Sequence, residues 1–166
     1  RHVMSNMTGL EPLEIPLKAD PGKPPLLAEG LGHISMSHCS DALLIGWSST
    51  KIGVDIERMD RKFQAHKLSK RFFNQIENNE IEDLTPSQAR EEVLKRWVVK
   101  EAAIKLQNGK ISNNLSQWIW KNNSSFAYHT KLGCQVKVYK QSYKQWTYAI
   151  ALDGDSKINT PIICIN

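Results

Sequence analysis

Cysteine is scarce in this sequence. Cys39, Cys134 and Cys164 are spread over 166 residues with no C-x-x-C pair. So sparse and odd a set argues against a disulfide framework or a zinc knuckle and fits thiols kept reduced in a cytoplasm. No apolar run approaches the ~20 residues that a spanning helix needs, so no membrane partner is expected. No basic segment followed by an apolar stretch opens the chain. It begins at Arg1 rather than Met, and a trimmed or incomplete N-terminus is the expectation. A P-loop, a Gly-rich dinucleotide turn and a Ser–His–Asp arrangement are all missing. So are solenoid repeats and low-complexity tracts.

What is there is moderately apolar and mildly basic. The hydrophobic fraction is 40%, and 22 Lys and Arg stand against 17 Asp and Glu, a formal charge of +5. That apolar content excludes wholesale disorder. A chain of this length buries roughly 70% of its unfolded surface in one domain, or in two related halves. The positive excess favours an anionic substrate or acidic partner, but a solvated basic surface gives the same sum.

Residues 1–8 read as a short helix ending at Gly9. Residues 11–25 hold Pro12, Pro16, Pro21, Gly22, Pro24 and Pro25 and read as an extended connector. Runs at 33–38, 42–47 and 52–57, separated by Ser, Asp and Thr, read as an antiparallel meander. Helical patterning follows over 62–84. The best-defined helix spans 86–107, with Thr85 as N-cap, Pro86 in the first turn and Gln88 completing a capping box. Strands are expected at 117–120, 134–140, 145–152 and 161–165. Strands, then helices, then strands argue for an α+β fold.

Two patterns carry chemistry. On the long helix, Val93, Leu94, Trp97, Val98, Ile104 and Lys105 fan over one face at ~100° per residue, with Glu101 in their midst. A carboxylate there must be neutralised or paired, because burying it bare costs several kcal/mol or more. Lys105 lies one turn on and Lys100 flanks the stripe. A narrower stripe would instead leave Glu101 at the rim in a surface ion pair. On the strand at 52–57, alternation sets Asp55 and Glu57 on one face and Ile52, Val54 and Ile56 on the other. Two carboxylates so placed suit a hard cation such as Mg²⁺, although a wet acidic strand face has the same pattern. Together, three carboxylates and two lysines describe a Mg²⁺–phosphate pocket.

Gly53-Val54-Asp55-Ile56-Glu57 and Trp97-Val98-Val99-Lys100-Glu101-Ala102-Ala103-Ile104-Lys105 resemble the paired G-x-D-x-E and W-x-x-K-E-x-x-x-K signatures of 4′-phosphopantetheinyl transferases. Their spacing is similar to that of the larger, Sfp-type branch. Gly22-Lys23-Pro24 resembles the G-K-P loop of that branch, and Ser35-Met36-Ser37-His38 its S-H strand. Residues 41–48 look closest to cyanobacterial members.

The resemblance implies an α+β fold of two similar halves with the active site between them. Here the first half is incomplete, since Lys23 lies only about twenty residues from Arg1. Residues 1–50 would be the remnant of that half with the inter-half strands, and 51–166 the second half. The implied reaction moves the phosphopantetheine arm of coenzyme A onto a serine of an acyl or peptidyl carrier protein, releasing 3′,5′-ADP. By motif, Asp55, Glu57 and Glu101 would hold Mg²⁺, while Lys100 and Lys105 neutralise phosphate charge. Ser37 and His38 would contact a coenzyme A phosphate, and Lys23 and Pro24 would line the nucleotide end. The serine proton would go to Glu101 or to a metal-bound water. Carrier proteins of this family are acidic, which the +5 charge complements. The basic stretch 121–144 is a candidate face for one.

A catalytically silent module that binds a carrier protein or nucleotide is the alternative. Trp47, Trp97, Trp118, Trp120 and Trp146 fall where core packing explains them, so no nucleic-acid partner is expected. His33 and His38 face opposite ways on their strand, while His2, His66 and His129 read as surface residues. A monomer is expected, with self-association as the alternative where an apolar strand edge is exposed.

Overall fold

The computed structural model describes residues 1–109, 114–154 and 163–165. Helix α1 (His2–Thr8) stops at Gly9, whose φ of 74° is the left-handed value a helix terminus favours. Within the proline-rich connector, β1 (Leu17–Lys18) pairs antiparallel with β2 (Leu26–Leu27). Strands β3 (His33–Cys39) and β4 (Ala42–Ser48) form the expected hairpin, and β10 (Ile163–Ile165) adds to the other edge of β4.

The meander stops there, against expectation. Strand β5 (Ile52–Arg58) leaves the hairpin and pairs with β9 (Trp146–Leu152). Beyond β9 lie β8 (Cys134–Tyr143), β7 (Phe126–His129), which the sequence did not announce, and β6 (Trp118–Ile119). The five make one sheet in the order β5-β9-β8-β7-β6. Strand β4 lies face-on to β5 instead of beside it. A Cβ on Gly46 would sit 2.5 Å from Val54 Cγ1, so a glycine is what lets the two sheets close.

The single helical region expected over 62–84 is two helices, α2 (Ala65–Phe72) and α3 (Gln75–Glu82). Asn74 breaks them apart by capping α3, its side chain accepting from the Glu77 N–H at 2.9 Å. Helix α4 (Pro86–Leu106) begins with the expected capping box, Thr85 and Gln88 each bonding the other's backbone. From Val93 onward α4 is buried on most sides. Arg96, Val99, Lys100, Ala102 and Ala103 are buried as well as Val98 and Ile104. The expected single apolar stripe is therefore a correction: the large sheet covers one side of α4, and α2, α3 and the 115–120 segment cover the other.

At β5 and β9 the large sheet is buried on both faces. Val54, Ile56, Tyr148 and Ile150 pack toward Leu44 of the small sheet, while Val136, Val138, Ala149 and Ala151 pack under α4. Every residue of β9 is buried. Trp97, Trp118, Trp120 and Trp146 join the interior, but Trp47 is exposed and donates its indole N–H to the Leu31 carbonyl at 2.7 Å. His129, expected at the surface, is buried edge-on against Trp118 and accepts the Leu132 N–H. Cys39 and Cys134 are free thiols; the side chain of Cys164 lies outside the described residues. Among the described residues no helix is long and apolar enough to cross a membrane.

Candidate active site

The site arises where α4 crosses β5. Gly53 makes the crossing close: a Cβ there would lie 2.0 Å from the Ala102 carbonyl oxygen and 2.4 Å from the Leu106 nitrogen. Two residues on, the same strand face presents Asp55. The helix residues flanking that contact, Glu101 and Lys105, are one turn apart and meet it.

Strand β3 holds Asp55 from the opposite side. The free edge of β5 has outward N–H groups at Val54 and Ile56, and serine hydroxyls take the place of a neighbouring strand. Val54 N–H donates to Ser35 Oγ at 3.0 Å, and Ile56 N–H to Ser37 Oγ at 3.3 Å. Ser37 passes its own hydrogen on to Asp55 Oδ1 at 2.7 Å. Lys105 Nζ donates to the same oxygen at 2.7 Å and stands 3.9 Å from Glu101 Oε2. Asp55 Oδ2, in contrast, is buried with no hydrogen-bond partner. The Glu101 carboxyl lies within hydrogen-bonding reach of Asp55, so the abutting oxygens must be held together by a shared proton or by a cation.

The electrostatics follow from this crowding. Burial raises the Asp55 pKa, opposed by Lys105 and Ser37. Burial, then the neighbouring Asp55 charge, pushes Glu101 up to about 8 against the pull of Lys105. Burial also raises Glu57, with Arg61 opposing. All three carboxylates resist ionisation chiefly because they are buried, and the Asp55 charge adds to the effect at Glu57 and Glu101.

Other expected members of the site fall elsewhere. Glu57 lies next to Asp55 on the same strand face but turns to an ion pair with Arg61. Among the described residues no three His, Cys, Asp or Glu side chains stand together as a set able to hold a metal ion. The expected trio is thus an abutting pair, Asp55 and Glu101, plus a neighbour engaged with another cation. Lys100 is a clearer correction. One residue from Glu101 turns it ~100° around the helix, into the interior, where it is fully buried and paired with Glu77. It also donates to the Leu115 carbonyl at 3.1 Å and lies 4.1 Å from the centre of the Phe73 ring. Burial lowers its pKa to about 8, although Glu77 opposes the shift. It has no exposed edge with which to meet a phosphate.

Alternation along β3 points Ser37 inward and His38 outward, so the two serve opposite faces of the strand. Lys23 and Pro24 are exposed, and Lys23 pairs with Asp20 at 3.3 Å. Among the described residues no contact joins Lys23, Pro24 or His38 to the Asp55 cluster. Sequence reasoning gave no structural task to Ser37 and did not single out Glu77. Signals for both were present: Ser35 and Ser37 alternate as small polar residues on an inward strand face, and Glu77 falls on one helical face between Phe73 and Ile81.

Fold and site together define an α+β protein in which a helix and a strand bring two carboxylates and a lysine together. The family model of the 4′-phosphopantetheinyl transferase superfamily matches residues 51–155, well over half of the chain, and the chain belongs to that superfamily. No curated protein matches the sequence. Solved structures similar to it include the holo-[acyl-carrier-protein] synthase of Thermotoga maritima, at 18% identity and a TM-score of 0.47, covering 62% of this chain and 62% of that one. The chain therefore spans less than two thirds of that protein's length. The holo-ACP-synthase of Plasmodium yoelii is 20% identical, with a TM-score of 0.48 over 62% of this chain and 92% of that one. A holo-(acyl-carrier-protein) synthase of Bacillus anthracis, solved in complex with CoA (3′,5′-ADP), is 19% identical, with a TM-score of 0.48 over 68% of this chain and 96% of that one.

Proposed function

We propose that this protein transfers the 4′-phosphopantetheine moiety of coenzyme A to a serine of an acyl or peptidyl carrier protein in the cytoplasm, as a member of the Sfp-type branch. Residues 51–166 are read as its second half and 1–50 as the remainder of its first. The observation that carries the proposal is the Asp55–Glu101–Lys105 cluster, set in the segment that the family model matches, with one buried Asp55 oxygen left unpartnered.

The donors present suit magnesium. They are hard carboxylate oxygens, short of positive charge, and Mg²⁺ is commonly held by only one or two carboxylates with substrate phosphates beside them. Asp55 and Glu101 would hold it, with Glu57 as the third donor once released from Arg61. Bound there, the ion would supply charge neutralisation for a pyrophosphate. Lys105 orients the Asp55 carboxylate and offers its remaining hydrogens to phosphate oxygens. Ser37 fixes the Asp55 rotamer from the β3 side. The carrier serine's oxygen forms the new bond to phosphorus, 3′,5′-ADP leaves with the old one, and the serine proton passes to Glu101 or to a water.

Incubation of the protein with coenzyme A, Mg²⁺ and an apo-carrier protein is expected to add one phosphopantetheine to the carrier, read by intact-protein mass. Glu101→Ala is expected to abolish the addition while keeping the fold. Unchanged turnover in that variant would overturn the assignment.

A second reading has its own support in the pairing of Glu57 with Arg61 and the absence of a ready metal set among the described residues. In it the protein binds a carrier or nucleotide without chemistry. Calorimetry separates the two, since the silent module gives a carrier signal and no Mg²⁺-dependent coenzyme A signal.

A further inference from the structure

The strand face that bears Asp55 and Glu57 continues to Met59, and there a cleft of about 240 Å³ opens between the sheet and the first turns of α4. Its walls are built from residue rows that change character together. On β8 the residues facing α4 are Val136, Val138, Lys140 and Ser142, buried valines giving way to a lysine and a serine. On α4 the corresponding change, read toward the N-terminus, runs from the buried Val98 to Lys95, Glu91, Arg90 and Ser87. Where apolar packing ends, both walls become largely polar, with three cations against one acid.

A fringe of solvated charge around a helix would balance its own signs. This one does not. Lys95 is paired with Glu91 at 2.7 Å, the one acid in the cleft wall. Lys140 is half-buried and donates only to Ser142 Oγ, at 3.3 Å. Glu92, close by, is engaged with Arg96 and Asn122 outside the cleft wall. Arg90 is half-buried and has neither an ion pair nor a hydrogen bond among the described residues. Arg90 is thus left without a partner, and Lys140 shares Glu91 with Lys95 and feels Glu92 only at a distance, so positive charge is in excess in a confined space. Burial lowers the pKa of Lys140 and the facing Lys95 lowers it further, with Glu91 and Glu92 opposing the shift.

We propose that this cleft is a binding site for a compact oxyanion head group, a phosphate monoester or a carboxylate, held by Arg90, Lys95 and Lys140 with the Ser87 and Ser142 hydroxyls. Such groups match its chemistry, since charge-assisted bonds from guanidinium and ammonium groups are the strong ones and hydroxyls complete the cage. The oxyanion has two sources. It is either a free small ester or the charged end of an acyl group carried on coenzyme A. Arg90 and Leu94 lie 11 and 7 residues before Glu101, within about 20° of it around the helix and about 10–17 Å along it. The pantetheine arm, ~13 bonds from phosphorus to sulfur, extends ~15 Å at the reach of an extended chain. The tethered source rests on the function proposed above; the free source does not.

Titration of the protein with inorganic phosphate, in chelator so that no metal takes part, is expected to show saturable binding. Lys140→Glu and, separately, Arg90→Gln are expected to weaken it by about tenfold or more, with thermal unfolding confirming that both variants fold. Glu91→Gln is expected to tighten it. Binding that both variants leave intact, or that only Lys105→Gln removes, would overturn the site. A second arm compares malonyl-coenzyme A with acetyl-coenzyme A as donors. A preference for the malonyl form that Lys140→Glu erases assigns the tethered source, and equal use of both assigns the free one. Should neither donor react, the functional proposal fails while the phosphate titration still decides the cleft.

Discussion

Helix α4 carries two lysine–carboxylate pairs little more than one turn apart, and they have opposite characters. At Lys100–Glu77 every capacity is met: Glu77 takes Lys100 on one oxygen and the Trp120 N–H on the other, while Lys100 also has the Leu115 carbonyl and the Phe73 ring. At Lys105–Asp55 one oxygen takes two donors, its twin takes none, and a second carboxylate with raised proton affinity stands alongside. Both are lysine–carboxylate pairs near the end of one helix, but the first is saturated and the second is left wanting positive charge. Buried polar networks that are complete fix a structure, and incomplete ones persist where a ligand finishes them.

The largest expected effect breaks the saturated pair. Glu77→Ala leaves Lys100 as an uncompensated buried charge and should cost about 3–5 kcal/mol in urea unfolding, whereas Glu77→Leu with Lys100→Met should recover most of that loss. Equal costs for the single and double variants would show that the pair does not act as a unit. Next, Gly53→Ala pushes a methyl into the α4 backbone and should cost roughly 1–3 kcal/mol. It should also part Glu101 from Asp55, lowering any Mg²⁺-induced rise in melting temperature. A stable variant with an unchanged rise would show that the close approach is not what builds the site.

A third test compares the pairs through pH. The folded state holds Glu101 at about 8 against an ordinary value of 4.5, so between these pH values the folded state keeps a proton that the unfolded state has released. Its contribution to stability is therefore complete below about 4.5 and is lost as pH rises toward 8. In chelator the melting temperature should fall across that window, and Glu101→Gln should flatten the slope. A slope unchanged in Glu101→Gln would assign it to other groups. The smallest effect on stability is expected from Arg61→Ala, within about 0.5 kcal/mol for a half-exposed pair. Its use is to release Glu57: the Mg²⁺-induced rise should grow, and a rise that stays the same would remove Glu57 from the donors.

Much of this architecture is legible in the amino-acid sequence alone. The capping box at Thr85 and Gln88, the helix end at Gly9 and most strand positions follow from local chemistry, and the fold has them. Asp55, Glu101 and Lys105 also stand out, because a charged residue among apolar neighbours needs a partner wherever it lies. What local pattern cannot supply is direction across distance. Strand β5 reads as the third strand of a meander because its neighbours in sequence are strands, yet its pairing partner lies roughly ninety residues away. Lys100 reads as a companion of Glu101, but a helix enclosed on nearly all sides has no solvent face to which such a residue must turn. His129 sits in a short run with exposed Phe126 and Tyr128, and its burial depends on Trp118 arriving from the next strand.

The two hydroxyls that serve the outer edge of β5 have a consequence for solubility. A strand border closed by Ser35 and Ser37 offers no row of main-chain donors to another polypeptide, so it is shielded from end-on recruitment into larger assemblies. Replacing both serines with alanine would leave the buried Val54 and Ile56 N–H groups without acceptors. The same small groups that steady an acidic side chain thereby also complete the border of the sheet.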